Sequence, residues 1–192
     1  MMNNETQARW DARYRDATEP SKPSKVLESN THLLPTQGVA LDLACGLGGN
    51  ALLLAECGLT CHAWDISPIA IEKLSSFAKQ RELPIIGRTG HIEVQALKPN
   101  SFDVIIVAHF LERSFTAALI DALRPQGLLF YQTFTHTCVT DAGPAQPEWR
   151  LNDQELLTMF APLKTLVYRE EGRVGDITRG FRDEALLVAI KS

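Results

Sequence analysis

Short apolar runs alternate with helical patterns along this chain from about residue 37 onward. The clearest run is Phe102–Ala108, which is rich in β-branched residues and leaves no room for a solvated face, as in a strand buried on both sides. Runs of this kind predict strands at 39–44, 59–64, 102–108 and 127–134, a weaker strand within 84–94, and two more near 164–170 and 185–190.

Helices are predicted between most of these strands. In Pro68–Gln80, Ser67 is suited to the N-cap, Pro68 to the first turn, and the apolar residues share one face. Further helices are expected at 6–16, 50–57, 112–123 and 152–160, the last with Asn152 or Asp153 as its cap. Strands that alternate with helices indicate a doubly wound, mostly parallel α/β sheet. Residues 171–184 show no helical pattern, so the last two strands are expected to form an antiparallel hairpin.

Length and composition indicate one folded domain with a separate N-terminal segment. The 192 residues suit a single domain, and 45% hydrophobic with 22% charged residues excludes a disordered chain. Residues 1–36 are polar and interrupted by proline, and we expect them to form a helical cap segment on a domain that spans 37–192.

Net charge and the length of the apolar runs indicate which binding partners are unsuited to this chain. A net charge of −4 disfavours nucleic acid, whose binders normally present a basic face. No apolar run approaches the roughly 18 residues of a membrane span, and the N-terminus lacks the pattern of a secretory signal, so a cytoplasmic protein is expected. The four cysteines lack the spacing of a zinc site, and no metal is predicted.

The most informative segment is a strand, a glycine turn and a helix start at 41–51. Gly46-x-Gly48-x-x-Ala51 fits the dinucleotide fingerprint, a weak signal that leaves an NAD(P)-dependent oxidoreductase open. Asp42, near the end of the strand, suits a cationic amine and would repel a pyrophosphate. Asp65 ends the next strand, where an acid can accept hydrogen bonds from both ribose hydroxyls. An amine beside a ribose describes S-adenosylmethionine, although either aspartate could instead cap the helix that follows it.

Four motifs in order resemble the class I S-adenosylmethionine-dependent methyltransferases, over roughly residues 8–135. They are Leu41–Asn50, Trp64–Pro68, Ser101–Ile106 and Leu123–Gly127. The lead-in Trp10-Asp-Ala-Arg-Tyr14 is similar to that of the small-molecule tellurite-resistance and thiopurine branch. The resemblance implies a Rossmann-like methyltransferase fold: seven strands in the order 3-2-1-4-5-7-6, with strand 7 antiparallel.

The resemblance also implies which residues hold the cofactor. Gly46 and Gly48 would line the methionine part, Asp65 the ribose and Ile66 the adenine, with Trp10 and Tyr14 lying over the cofactor. Ala44 and Asn50 of the same turn are expected to contribute. His91 stands where many relatives have an aspartate, so a backbone group near Ile92 is expected to contact the adenine instead. Trp10 and Tyr14 could equally form a docking face without a ligand.

The methyl acceptor is predicted to be a small molecule, because Val107–Leu111 lacks the Asn/Asp-Pro-Pro-Tyr cluster of enzymes that methylate amino groups on bases or glutamine. His109 directly follows the fourth strand and is the candidate general base, with a structural histidine as the alternative. His136 and Arg113 are candidate substrate contacts, with a plain loop as the alternative for His136 and an ion pair with a carboxylate as the alternative for Arg113. A non-catalytic cofactor-binding protein on the same fold also stays open.

Overall fold

Seven strands form one sheet in a computed structural model that describes residues 2–192, so that only the first residue of the predicted cap segment lies outside it. The strand order is β3-β2-β1-β4-β5-β7-β6, with β7 antiparallel to both of its neighbours and the other neighbouring pairs parallel. The predicted fold class and strand order are confirmed. The strands are β1 (Gly38–Leu43), β2 (Leu59–Asp65), β3 (Ile85–Thr89), β4 (Phe102–Ala108), β5 (Leu123–Phe134), β6 (Lys164–Arg169) and β7 (Glu184–Ile190).

Helices cover both faces of the sheet because successive side chains of a strand point to opposite faces. In β1, Leu41 and Leu43 join one apolar core with α5 and α6, whereas Ala40 joins the other with α2, α3 and α4. Asp42 shares the face of Ala40, which directs its carboxylate toward α3. The helices are α1 (Met2–Tyr14), α2 (Lys25–Glu28), α3 (Gly49–Glu56), α4 (Pro68–Gln80), α5 (Thr116–Ala122) and α6 (Glu155–Met159).

The N-terminal segment is tied to the domain at several points. The Lys73 ammonium of α4 donates to the carbonyls of Arg15 and Ala17, just after α1. Farther along, the backbone and hydroxyl of Ser24 both donate to Asn50 Oδ1 at the start of α3, at 2.8 and 2.9 Å. These contacts hold the segment across the helices that follow β1 and β2.

Two predicted helices differ from the observed ones. The region 112–123 forms a 3₁₀ turn at Arg113–Phe115 before α5, and the next strand begins at Leu123 instead of 127. Neither Asn152 nor Asp153 caps α6, whose N-cap position is Gln154. The side chain of Asn152 instead donates to Glu155. Helix α2 was not predicted. Within residues 2–192, no helix combines the length and apolar character that a bilayer crossing requires.

Candidate functional site

The candidate site lies where the chain reverses direction along the sheet, between β1 and β4. Open α/β sheets bind ligands at this switch point, beyond the carboxyl ends of the strands. The residues that follow the two strands, Ala44 (φ 58°) and His109 (φ 56°), both adopt the left-handed conformation. That conformation costs a non-glycine residue about 1–3 kcal/mol and is concentrated at functional sites.

The turn after β1 requires glycine at two positions. Gly46 and Gly48 have φ values of 52° and 75°. A Cβ on Gly48 would lie 2.2 Å from Leu74 Cδ1, and one on Gly46 would lie 2.8 Å from the Tyr14 hydroxyl. The turn is therefore packed closely between α4 and the N-terminal helix, and no side chain fits at these two positions.

Asp42 is buried in the wall of this turn, with an exposed fraction of 1%. Its Oδ2 accepts a hydrogen bond from the Ala51 amide at 3.0 Å, so it does contribute to the start of α3. Its Oδ1 has no hydrogen-bond partner among residues 2–192. Burial raises the pKa of Asp42 to about 8, although the Ala51 amide opposes this, and the nearby Asp65 raises it further. A buried carboxyl oxygen without a partner is an acceptor that a ligand can use.

Asp65 connects the ends of two elements. Its Oδ2 accepts from the Gly46 amide and its Oδ1 from the Ser67 amide, both at 2.8 Å. Burial raises its pKa, and these two amides act in the opposite direction. Each carboxylate oxygen has a second lone pair, so Asp65 can hold the turn and still accept from a ligand.

The predicted aromatic cap lies directly on the turn. The phenol of Tyr14 covers Gly46, and the ring of Trp10 stacks on it with 5.7 Å between centroids. Burial raises the pKa of Tyr14, and the charge of Asp65 adds to the effect. The guanidinium of Arg9 lies 5.6 Å from the ring centroids of both Trp10 and Trp149, so α1 also contacts the long loop after β5.

The residues expected near adenine lie at the ends of β2 and β3. Ile66 follows Asp65 and is half-buried, and Ile92 is also half-buried, packed against the apolar core. The Gly90 amide donates to the Asp65 carbonyl at 3.0 Å, which holds the two strand ends together. His91 is exposed. The structure thus brings Ile66 and Ile92 to the same edge, and their contact with adenine stays a prediction.

His109 has a partner that the sequence did not indicate. Its Nε2 lies 3.1 Å from Glu184 Oε1, at the start of β7, and 43% of its side chain is exposed. Gln132 of β5 donates to the other oxygen of Glu184. The three residues lie on adjacent strands or at their ends, but His109 and Glu184 are 75 positions apart, so no local pattern could have found the pair.

Arg113 occupies the second of its two predicted roles, the ion pair. Its guanidinium holds Glu155 through two hydrogen bonds, at 2.6 and 3.0 Å, and donates to the carbonyls of Glu148 and Arg150. Arg113 lowers the pKa of Glu155. These four bonds fasten the segment 148–155, and a contact of Arg113 with the substrate stays a prediction.

Two further predicted residues have other contacts. The side-chain oxygen of Asn50 accepts from Ser24, so Asn50 holds the N-terminal segment, and the same side chain lowers the pKa of Asp42. His136 is exposed, and its backbone amide donates to the Leu151 carbonyl in the loop after β5. The thiol of Cys45 is buried, and burial raises its pKa. No grouping of acidic, histidine and cysteine side chains suited to a metal ion is found in the described part of the chain.

Comparisons with known proteins agree with this architecture. Residues 40–127 match the family model described as a methyltransferase domain. A search of curated proteins finds no match.

Solved structures with similar folds cover most of the chain. TehB from Haemophilus influenzae is 18% identical, with a TM-score of 0.69 over 95% of this chain and 66% of its own, so this chain spans just under two thirds of TehB. A SAM-dependent methyltransferase from Aquifex aeolicus is 15% identical, with a TM-score of 0.70 over 95% and 98%. A protein described for conversion of a disulfide bond into a thioacetal group in echinomycin biosynthesis is 21% identical, with a TM-score of 0.68 over 97% and 93%. At these identities the likeness shows the fold.

Proposed function

We propose that this chain is a class I S-adenosylmethionine-dependent methyltransferase and that it methylates a small-molecule acceptor, which agrees with the methyltransferase-domain match over residues 40–127 and with the fold of the solved structures. S-adenosylmethionine is the cofactor that such a domain implies. The observation that carries the proposal is the unpartnered, buried oxygen of Asp42 in the wall of a glycine turn.

The residues at the switch point fit this cofactor. Asp42 Oδ1 offers a buried acceptor for the amino group, and the close-packed turn at Gly46 and Gly48 offers backbone for the methionine part. Asp65 keeps acceptor capacity for the ribose hydroxyls. Tyr14, lying on Gly46, is placed to cover the bound molecule and exclude water, which strengthens electrostatic interactions beneath it. In this arrangement residues 1–36 act as a cap on the domain.

The chain's own contribution to the chemistry is positioning and proton removal. When bound, S-adenosylmethionine supplies a methyl group on a positively charged sulfur, which an acceptor displaces in line. Orientation of the reactants can lower such a barrier by about 7–11 kcal/mol. An acceptor that carries a proton must lose it, and the exposed imidazole of His109 at the end of β4 takes that proton.

Several features favour a small acceptor over a macromolecule. The segment Val107–Leu111 lacks the motif of amino-group methylation on bases, and the net charge of −4 gives no general attraction for nucleic acid. The loop held by Arg113 lies against α1 through the contact of Arg9 with Trp149, which suits a site that admits small molecules. Both TehB and the echinomycin protein share this fold, and the thioacetal chemistry described for the latter makes sulfur acceptors a good first class to try.

Calorimetry with S-adenosylmethionine, S-adenosylhomocysteine and NAD tests the cofactor. We expect both sulfur compounds to bind and NAD not to, because the acidic side chains of Asp42 and Asp65 line the turn where a pyrophosphate would lie. Asp42→Asn should weaken the binding of S-adenosylmethionine at least tenfold. Asp121→Asn, a matched change at an exposed site, should leave the binding unchanged. A response to NAD alone would contradict the proposal.

Acceptor class is tested by the release of S-adenosylhomocysteine. Panels of small thiols, phenols and amines are compared with bulk RNA and with unfolded protein at equal methyl-acceptor concentration. We expect turnover with members of the small-molecule panels. Turnover with RNA or protein only would refute the small-molecule acceptor, and binding without any turnover would favour the non-catalytic alternative.

A further inference from the structure

A line of three hydrogen bonds runs from His109 to the backbone of the N-terminal segment. His109 Nε2 lies 3.1 Å from Glu184 Oε1. Gln132 Nε2 donates to Glu184 Oε2 at 2.5 Å, and the Val26 amide donates to Gln132 Oε1 at 2.7 Å. The sheet creates this alignment, because β4, β5 and β7 are neighbours and these residues lie at the same edge.

The donor and acceptor of each hydrogen bond in this line follow from the Val26 amide at its end. A backbone N–H can only donate, so the Val26 amide requires the oxygen of Gln132, and the NH₂ of Gln132 therefore faces Glu184. A carboxylate is an acceptor at both oxygens at neutral pH. The nitrogen of His109 that faces Glu184 must then carry the hydrogen. In a neutral imidazole, this leaves the lone pair on Nδ1.

Burial differs between the two ends of the line. Gln132 is 4% exposed and the Glu184 side chain 17%, so the bonds between them are shielded from water. His109 is the accessible end, and its ring lies 5.0 Å from that of Phe134, which limits its rotation. Nδ1 of His109 forms no hydrogen bond with any of residues 2–192, so its lone pair is free.

We propose that Glu184 and Gln132 are positioning residues that fix the neutral tautomer of His109 and make Nδ1 its base nitrogen. The proposal rests on the function given above and extends it to the class of acceptor, a compound with an ionisable O–H, N–H or S–H. As the bond from the acceptor atom to hydrogen breaks, its electron pair stays on that atom and forms the bond to the methyl carbon, while the bond from that carbon to the sulfonium sulfur breaks and its electron pair returns to sulfur, leaving a neutral thioether. The proton passes to Nδ1, and the carboxylate of Glu184 stabilises the imidazolium.

The tautomer can be read directly from two-bond ¹H–¹⁵N correlation spectra of the histidine rings at pH 8, with His109 assigned by its loss in His109→Gln. The wild type should show hydrogen on Nε2. In Glu184→Gln, the NH₂ of Gln132 still requires an acceptor and turns the new amide oxygen toward itself. The new NH₂ then faces His109 and should move its hydrogen to Nδ1.

A double variant, Gln132→Glu with Glu184→Gln, should restore the wild-type tautomer. Its carboxylate at 132 accepts from the Val26 amide and from the NH₂ at 184, so that the amide oxygen at 184 faces His109 again. Glu72→Gln, a matched change on the exposed face of α4, should leave His109 unchanged. A tautomer of His109 that is inverted in Glu184→Gln and restored in the double variant would support the proposed roles of Glu184 and Gln132.

An unchanged His109 tautomer in a folded Glu184→Gln protein would overturn the proposal. Thermal unfolding checks the fold of each variant, and if the double variant does not fold, Glu184→Gln alone decides. The spectra are recorded on the free protein with neither cofactor nor acceptor. Failure of this tautomer proposal is therefore distinguishable from failure of the proposed methyl transfer, which the calorimetry and turnover measurements report.

Discussion

A carboxylic acid with an unused buried oxygen is the feature on which the site depends at the scale of single residues. Asp42 accepts a hydrogen bond from the Ala51 amide, and burial raises its pKa by more than that amide and the Asn50 side chain lower it. With a pKa of about 8, Asp42 is largely protonated at neutral pH. A cation placed beside Oδ1 would favour the ionised form and so release that proton.

Cofactor binding should therefore release a proton from Asp42. We expect the affinity for S-adenosylmethionine to rise between pH 6 and 7, by up to about tenfold, because the carboxyl must ionise against a pKa of about 8. Calorimetry in two buffers of different ionisation enthalpy measures the proton count. Asp42→Asn should abolish the release, and an equal count in that variant would show that another group supplies the proton.

Asp65 is expected to contribute through the ribose. Asp65→Ala should weaken S-adenosylhomocysteine about tenfold or more, the loss expected when hydrogen bonds to a charged group are broken. Since the change also removes an acceptor from the Gly46 and Ser67 amides, the comparison needs a 2′-deoxyribose analogue. In wild type the analogue should bind more weakly than the parent, and in Asp65→Ala the two should bind alike. If the 2′-deoxyribose analogue loses the same affinity in both proteins, Asp65 does not contact the ribose.

At the scale of elements, local signals predicted α4 and failed for the region after β4. Ser67 caps α4 by accepting from the Ala70 amide, and Pro68 opens it, so both bounds follow from neighbouring residues. The predicted helix at 112–123 starts late, after a 3₁₀ turn at Arg113–Phe115, and in that turn Arg113 pairs with Glu155, 42 positions away. Such a pair depends on how the sheet places distant segments, which periodicity does not contain. The same reason hid the partner of His109.

Arg113 should govern the order of the loop that follows β5. Arg113→Ala removes the fork that holds Glu155 and two carbonyls, and hydrogen exchange at the Asn152 amide, which donates to Glu155, should become faster. Arg113→Lys should restore little, because an ammonium cannot reproduce the paired geometry. Arg81→Ala, which breaks a single exposed bond to Glu56, is the matched control. An unchanged exchange rate at the Asn152 amide would show that contacts other than those of Arg113 order this loop.

For the molecule as a whole, the sequence predicted the sheet more fully than the site. Strand order and the antiparallel hairpin agree with the motifs, and the glycine turn lies at the predicted switch point. The site combines groups whose roles overlap: Asp42 and Asp65 also bind amides that start helices, and Asn50 also binds the N-terminal segment. Sequence spacing suggested both roles for the aspartates, and only the packed structure shows one oxygen left over.

The free protein should lose stability as pH rises from about 4 toward 8. The folded pKa of Asp42 is raised above the unfolded value, so in this window the folded state binds more protons and unfolding becomes easier with rising pH. The slope attributable to one such group is at most about 1.4 kcal/mol per pH unit. Urea unfolding of wild type and Asp42→Asn at pH 5, 6, 7 and 8 measures it. The variant should show the shallower dependence, and parallel curves would refute the assignment.

The contact of Arg9 with Trp149 couples two parts of the molecule. Helix α1 covers the turn at Gly46, and the same helix contacts the loop that bears Trp149. In the proposed arrangement, movement of α1 away from the turn to let a bound nucleoside leave would also separate Arg9 from Trp149. One movement would therefore uncover the turn and free this loop.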